Sequence, residues 1–240
     1  MNLVIWGRNT VEEAIKSGKR LEKLYLQYGH YFEPDFLNWL KKKNVKFQWA
    51  KKRQLEKLAK TKKHQGIVAI LSPIDYVSPE ELFKKTIVTN SFFVVLDGIT
   101  EPQNLGAIAR TVESFGGVGI LLPEKGSAPI NEVAVKASSG ALFHLMVSKV
   151  SSLTEALLYF KELGGRLYAV ETGGEDIRNI RLQKPLGLIL GSEGRGIERV
   201  LLGLSDKIVT IPTVGKTPSL NVSVAAGITI WNVFNLSPNF

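Results

Sequence analysis

Three short segments of the 240-residue chain set polar side chains among glycines in a pattern suited to chemistry. The first, Asp97-Gly98-Ile99-Thr100-Glu101-Pro102-Gln103-Asn104-Leu105-Gly106-Ala107-Ile108-Ala109-Arg110-Thr111, puts Asn104 where a helix starts and Arg110 six residues on. Asn104 reads adequately as a plain N-cap, but an arginine flanked by small apolar residues on an otherwise buried helix needs another reason. The second, Leu190-Gly191-Ser192-Glu193-Gly194-Arg195-Gly196, follows an apolar run and opens a helix. A turn needing positive φ explains its glycines and not the Ser-Glu pair between them; pairing of Glu193 with a nearby arginine is the plainer alternative. The third is Ile211-Pro212-Thr213-Val214-Gly215-Lys216-Thr217-Pro218-Ser219-Leu220-Asn221-Val222-Ser223-Val224-Ala225-Ala226-Gly227.

Familiar chemistries fail on composition or spacing. The second segment reads GxxGxG, not the GxGxxG of a dinucleotide fingerprint. Gly215-Lys216-Thr217 resembles the end of a phosphate-binding loop, but position 210 is threonine where glycine is needed, and Pro212 interrupts the loop. There is no GxSxG nucleophile elbow. The absence of cysteine removes a thiol nucleophile, a disulfide framework and Cys-ligated metal. His30, His64 and His144 are scattered, without carboxylates at ligand spacing, so no metal site is expected.

The elements that must carry these segments change character along the chain. Residues 1–72 read as a small α/β domain, with helices at 7–17, 35–43 and 54–60 and strands at 21–27, 45–50 and 66–72. Residues 73–90, with Pro73 and Pro79, read as a linker holding one helical turn or two. From 91 to 240, apolar runs at 92–97, 118–123, 145–150, 166–171, 186–191 and 207–212 alternate with helices at 104–115, 131–142, 152–163, 196–204 and 220–234. That alternation predicts an α/β fold with a mostly parallel sheet covered on both faces. Ligands of such sheets bind beyond the carboxyl ends of the strands, here after Asp97, Gly191 and Pro212. The last helix is apolar nearly all round and must be covered on most sides. No signal region and no run near the roughly 18 apolar residues of a membrane span is present, which points to the cytoplasm and away from a membrane.

Charge separates the same two regions. Residues 1–90 hold 18 Lys+Arg and 9 Asp+Glu, whereas residues 91–240 hold 13 of each. Within Lys41–Lys63 there are 11 basic residues and one acid, Glu56, with Phe47 and Trp49 interleaved. A solvated basic face is the bland reading. The completeness of the asymmetry and the stacking-competent aromatics favour a polyanion, specifically RNA, with Lys41, Lys42, Lys43, Lys51, Lys52, Arg53, Lys62 and Lys63 as its contacts.

Together the three segments, in this order, resemble the signature segments of the SpoU (TrmH-like) family of RNA ribose 2′-O-methyltransferases, within the SPOUT superfamily. Residues 4–16 and His64-Gln65-Gly66-Ile67-Val68-Ala69 resemble the start and end of the substrate-binding domain of the branch that methylates a guanosine of 23S rRNA. The departures are small: Lys216-Thr217-Pro218 precedes Ser219 where smaller residues are usual, and Thr213 follows Pro212 where Met or similar is common. The resemblance implies a C-terminal trefoil knot, which sequence reasoning would reject because true knots are nearly absent from folds. It also implies a homodimer through the knotted region, and S-adenosyl-L-methionine as cofactor without metal. By resemblance the cofactor lies against Gly191, Ser192, Glu193, Gly194, Ile211, Pro212, Ser219, Leu220 and Asn221, where glycine lets backbone approach the ligand. The catalytic set becomes Asn104, Arg110, Glu193, Ser219 and Asn221, with Arg110 acting on the ribose hydroxyl and Asn104 fixing Arg110. A transfer-RNA guanosine is the rival substrate. A non-catalytic RNA-binding or ribosome-assembly protein, which needs only the basic domain, and a nucleotide-dependent enzyme are the rivals of other classes.

Overall fold

Phe92–Asp97 has no polar residue before its last position, and all six of its residues are buried. Such a run is stable as a strand only with both faces covered, and it forms the middle of the larger sheet. The computed structural model describes residues 4–16, 18–72, 74–216 and 219–235. The chain divides into a unit of Met1–Asp75 with Ile130–Glu132 and a larger unit of Tyr76–Pro129 with Val133–Phe240.

The smaller unit runs β1 (Val4–Trp6), α1 (Arg8–Lys16), β2 (Leu21–Gln27), α2 (Pro34–Lys42), β3 (Gln48–Ala50), α3 (Lys52–Ala59) and β4 (Ile67–Leu71). Its sheet has the order β1-β4-β2-β3, antiparallel at the first two pairings and parallel at β2–β3. β1 is a strand that periodicity does not reveal, because three residues are too few; it is recruited by the edge of β4. Val11, Leu24, Leu26, Phe36, Leu40 and Ile67 form one of its cores. The backbone N–H of Arg8 donates to Oε1 of Gln65 at 3.0 Å, so the two segments that resemble the ends of a substrate-binding domain meet in space.

The larger unit runs β5 (Tyr76–Val77), α4 (Pro79–Val88), β6 (Phe92–Asp97), α5 (Pro102–Ser114), β7 (Gly119–Pro123), α6 (Glu132–Ala137), β8 (Met146–Val150), α7 (Leu153–Glu162), β9 (Arg166–Asp176), β10 (Leu186–Gly191), α8 (Arg199–Leu204), β11 (Lys207–Thr210) and α9 (Val222–Asn235). The sheet order is β11-β9-β10-β6-β7-β8-β5, and every pairing among the described residues is parallel. From β6 the chain winds outward through β7 and β8, then crosses to β9 and β10 on the other side. The two directions part between β6 and β10, where Asp97 and Gly191 are in register.

Several boundaries differ from expectation. Of the segment 73–90, read as a linker, Pro73 lies outside the described residues, while β5 joins the edge of the larger sheet and α4 has ten residues. The reason is a capping box: Ser78 Oγ accepts from the N–H of Glu81 at 3.2 Å and Glu81 returns a carboxylate oxygen to the N–H of Ser78 at 2.9 Å. Pro79 sits in the first turn, where its missing N–H costs nothing, and Leu82 and Phe83 are buried. The helix expected at 131–142 ends at Ala137, since Ser139 and Gly140 take positive φ of 51° and 89°. β9 runs on to Asp176 through an irregularity opposite Ile208 and Val209. β11 stops at Thr210, which leaves Ile211 and Pro212 in a loop.

The core is aromatic at its centre: Phe93 meets Phe160 edge-on at 4.8 Å between centroids, and Phe83 meets Phe160 at 5.2 Å. α9 packs along α5, with Phe115 against Trp231 and Phe234. Among the described residues no helix is long and apolar enough to cross a membrane. Removing the ring in Phe160→Ala is expected to cost about 3–5 kcal/mol, and losing the cap in Ser78→Ala about 1 kcal/mol, both read from urea unfolding of the full chain. A Ser78→Ala protein as stable as the parent would show that α4 is held by Leu82 and Phe83 alone.

Candidate active site

The loops at the carboxyl ends of β9, β10 and β11, with the start of α9, enclose a cleft of about 590 Å³. Of the nine residues expected at a cofactor, Gly191, Ser192, Glu193, Gly194, Ile211, Ser219 and Leu220 line it, while Pro212 and Asn221 stand next to lining residues in the chain. Thr217 and Pro218 lie outside the described residues.

The wall made by residues 192–198 turns back on itself. Ser192 bridges Gly196, and Gly194 and Gly196 take φ of 94° and 71°, a region open to glycine. Two carboxylates from neighbouring strand ends pin this loop by its backbone. Asp97 Oδ2 accepts from the N–H of Glu198 at 2.8 Å, and Glu171 Oε2 accepts from the N–H of Ile197 at 3.1 Å. Thr210 Oγ1 donates to the carbonyl of Glu171 at 2.6 Å and accepts from the N–H of Gly174 at 2.6 Å, bracing the irregular part of β9 against β11. Burial pushes the Asp97 carboxyl above the usual carboxylate range, opposed by the hydrogen bond from Glu198.

Gly191 is also required by the loop itself. A Cβ there would lie 2.3 Å from the carbonyl carbon of Gly196 and 2.5 Å from the nitrogen of Ile197. The close approach is to the loop's own backbone rather than only to a ligand.

At one end of the cleft the three sequence segments come together. The Asn221 side-chain amide donates to Glu193 Oε1 at 2.8 Å and to Asn104 Oδ1 at 3.2 Å. Glu193 Oε1 also accepts from the N–H of Val222 at 3.2 Å, and Asn221 Oδ1 accepts from the N–H of Ser223 at 3.0 Å. Asn104 is not an N-cap, since Glu101 holds that position and α5 begins at Pro102. Among the described residues Glu193 pairs with no arginine; Arg195 pairs with Glu198 instead. Within one chain Asn104 and Arg110 do not face each other: six helical residues separate them by about 9 Å of rise and about 120° of rotation. Arg110 is exposed on α5 and has no hydrogen-bond or ion-pair partner among the described residues.

Glu171 was missed by the sequence reading, although the rule that points to strand ends would have included the last residue of the run 166–171. Asp97 was noted only as the place where a loop begins. The basic residues fall in the smaller unit: Lys41 and Lys42 end α2, Lys43 caps it, Lys51 caps α3, Lys52 and Arg53 open α3, and Lys62 and Lys63 precede β4. All eight are exposed.

A parallel sheet with a glycine-walled cleft at its strand ends, closed by an amide–carboxylate junction, defines an α/β enzyme with a small-molecule cofactor site. The cleft has room for a nucleoside-sized group, apolar wall at Leu190, Ile197 and Leu220, and polar side chains at Ser192 and Ser219. Residues 91–231 match the SpoU rRNA methylase family, and residues 4–77 match the RNA 2′-O ribose methyltransferase substrate-binding family. The Bacillus subtilis (strain 168) protein YacO, placed in the TrmH family of tRNA/rRNA methyltransferases, is 33% identical over 233 residues, 95% of this chain and 93% of that one. Among solved structures, the AdoMet-bound rRNA methyltransferase from Sinorhizobium meliloti superposes with a TM-score of 0.63 at 22% identity, covering 99% of this chain and 88% of that one. The SpoU methyltransferase AviRb from Streptomyces viridochromogenes, solved with AdoMet, gives 0.61 at 21% identity over 98% and 89%.

The chain belongs to the SpoU methylase family. It is an enzyme, an RNA 2′-O-ribose methyltransferase.

Gly191→Val is expected to drive its side chain into the backbone of Gly196 and Ile197, so that binding of S-adenosylhomocysteine disappears and the melting temperature falls. Loss of binding at an unchanged melting temperature would show that the residue is constrained by ligand alone. Burial raises the folded pKa of Asp97, so its protonated form contributes stability below the ordinary carboxylate pKa, and that contribution is lost as pH rises through the raised value. Asp97→Asn keeps an oxygen for the Glu198 N–H; we expect it to match the parent in acid and to be at least as stable above the raised pKa, read from unfolding midpoints across pH. A variant that is weaker at neutral pH would mean that the ionised carboxylate holds the loop.

Proposed function

We propose that the chain methylates the 2′-hydroxyl of a guanosine in 23S rRNA, with a transfer-RNA guanosine as the alternative substrate, and that the reaction takes place in the cytoplasm. The observation that carries the reading is the junction of Asn221 with Glu193 and Asn104, which unites all three signature segments beside the cleft. Ribosomal RNA is favoured by the rRNA methylase family match together with the N-terminal substrate-binding match. When bound, S-adenosylmethionine supplies an electrophilic methyl group on a positively charged sulfur.

In this reading Gly191, Ser192, Gly194, Ile211, Pro212 and Leu220 hold the cofactor, and Glu193, Ser219, Asn221 and Asn104 order the edge where cofactor and ribose meet. Arg110 orients the ribose 2′-oxygen and stabilises the negative charge that develops on it. A guanidinium is too weak an acid to serve readily as a neutral base, so its contribution is electrostatic and positional. Lys41, Lys42, Lys43, Lys51, Lys52, Arg53, Lys62 and Lys63 bind RNA phosphates.

A homodimer through α9 and a trefoil knot complete the proposal. α9 leaves Val224, Ile228 and Trp231 exposed although the helix is apolar nearly all round, which suits a second copy. The chain leaves β11 at the sheet edge and returns to α9 beside α5 and β10, the path that a threaded C-terminal segment would take.

Arg110→Ala is expected to lower single-turnover methyl transfer by about 10²–10³-fold with little change in S-adenosylhomocysteine affinity, and Arg110→Lys to recover little of it. Co-expression of Arg110→Ala with Gly191→Val should restore part of the activity if the arginine serves the neighbouring site; verified heterodimers without activity would put arginine and cofactor in one subunit. Replacing Lys51, Lys52 and Arg53 by alanine should weaken RNA binding and reduce the slope of log K against log salt by about 2. An unaltered slope would mark this run as a solvated face. Comparison of 2′-O-methylation in ribosomal and transfer RNA from a deletion strain and its parent decides the substrate.

A further inference from the structure

Two aromatic side chains of the smaller unit are stacked on each other in the open. Tyr28 follows β2, Trp49 lies in β3, and their rings are 5.8 Å apart between centroids at 28°. Tyr28 is 62% exposed and Trp49 41%. Their backbones are tied as well, since the N–H of Tyr28 donates to the carbonyl of Ala50 at 2.9 Å. Phe47 meets Trp49 edge-on at 5.7 Å, and buried Phe32 lies 6.2 Å from it, so the indole is braced from within while its partner faces solvent. Neither ring belongs to the methyl-transfer site, and core packing does not require them to be exposed.

Phe47 also lines a groove of about 320 Å³ with Lys41 and Lys46. On the other side in sequence, Lys51, Lys52 and Arg53 follow Trp49 directly. Through Phe47 the aromatic pair adjoins the cations of the groove, and in the chain it directly precedes three more, in the part of the sequence that holds all of the net positive charge. A flat apolar surface beside cations is complementary to a nucleotide whose base is free to leave its helix. An uncharged protein partner could use the aromatics but would have no need of the cations.

We propose that Tyr28 and Trp49 form a stacking platform for an unpaired base of the RNA substrate, with neighbouring phosphates held along the Lys41–Lys46 groove and by Lys51 and Lys52. The proposal rests on the reading of the chain as an RNA methyltransferase, and it adds a substrate class: single-stranded or looped RNA rather than uninterrupted duplex. In a duplex every base is already stacked and paired, so the platform has nothing to receive.

The test measures binding of the full chain to an unstructured RNA oligomer and to a perfect duplex of the same length, by fluorescence anisotropy at several salt concentrations. Tyr28→Ala with Trp49→Ala is expected to lower affinity for the single strand by roughly 10-fold or more, to leave the salt slope unchanged, and to leave duplex affinity as it was. Trp49→Phe should retain most of the single-strand affinity and lose the part of the tryptophan quenching that RNA produces in the parent. Should Trp49→Ala fail to fold for want of its contacts with Phe47 and Phe32, Tyr28→Ala alone still removes half of the platform. Equal loss on both RNAs, or no loss on the single strand, overturns the proposal. Methyl transfer by the parent to bulk RNA is followed in parallel. A parent that methylates RNA while the aromatic variants bind normally refutes only the platform, whereas a parent that neither binds nor methylates RNA refutes the functional reading as well.

Discussion

The side-chain amide of Asn221 is the fastening on which the site depends. It lies at the start of the last helix and donates to a carboxylate from the β10 loop and to an amide oxygen from α5. The chain reaches Asn221 from β11, at the edge of the sheet, and must return to the middle to pack α9 on α5. Among the described residues of this returning segment none pairs with a strand, and side-chain hydrogen bonds set its register instead. Because Glu193 also accepts from the N–H of Val222, the same carboxylate closes the first turn of α9 and fixes the end of the cleft. Architecture and site therefore share one set of contacts.

The cleft wall illustrates how little side chain a cofactor loop needs when its supports are elsewhere. Gly191, Gly194 and Gly196 allow the loop to fold back on itself, but glycine-rich backbone is entropically costly to order. Asp97 and Glu171 offset that cost by accepting hydrogen bonds from the loop's N–H groups. Both come from strands that flank β10, so the rigidity of the parallel sheet is passed to the loop through two short carboxylate contacts. Asp97 does this while buried, and its raised pKa records the conflict between desolvation of its charge and the hydrogen bond it receives.

The smaller unit has a different physical character. Its surface is cationic and partly aromatic, and its sheet is mixed rather than parallel. Long-range attraction by lysines is insensitive to sequence and falls with salt, whereas stacking on Tyr28 and Trp49 acts at contact distance and discriminates between free and paired bases. In the proposed reading, phosphate attraction and base capture are carried by different side chains of one small unit.

The alternation of strands and helices was legible in the chain, because apolar runs such as Phe92–Asp97 and Leu186–Gly191 need both faces covered. The charge division was legible too, as were the three glycine-bearing segments that meet at the cleft. Short or locally ambiguous elements were less legible: β1 and β5 are strands only because a neighbouring edge pairs with them, and the helical turn or two expected near Pro79 is a ten-residue helix closed by a capping box. Which residues touch was decided by the tertiary structure alone. Asn104 turned out to bond Asn221 instead of capping its helix, Gly191 to make room for Gly196, and Glu171 to pin the cofactor loop. The bonds of Asn104 and Glu171 join residues far apart in the chain and the Gly191–Gly196 approach depends on how one loop folds back, and hydrophobic periodicity, which reports only on the face a residue shares with its neighbours in sequence, contains no information about such contacts.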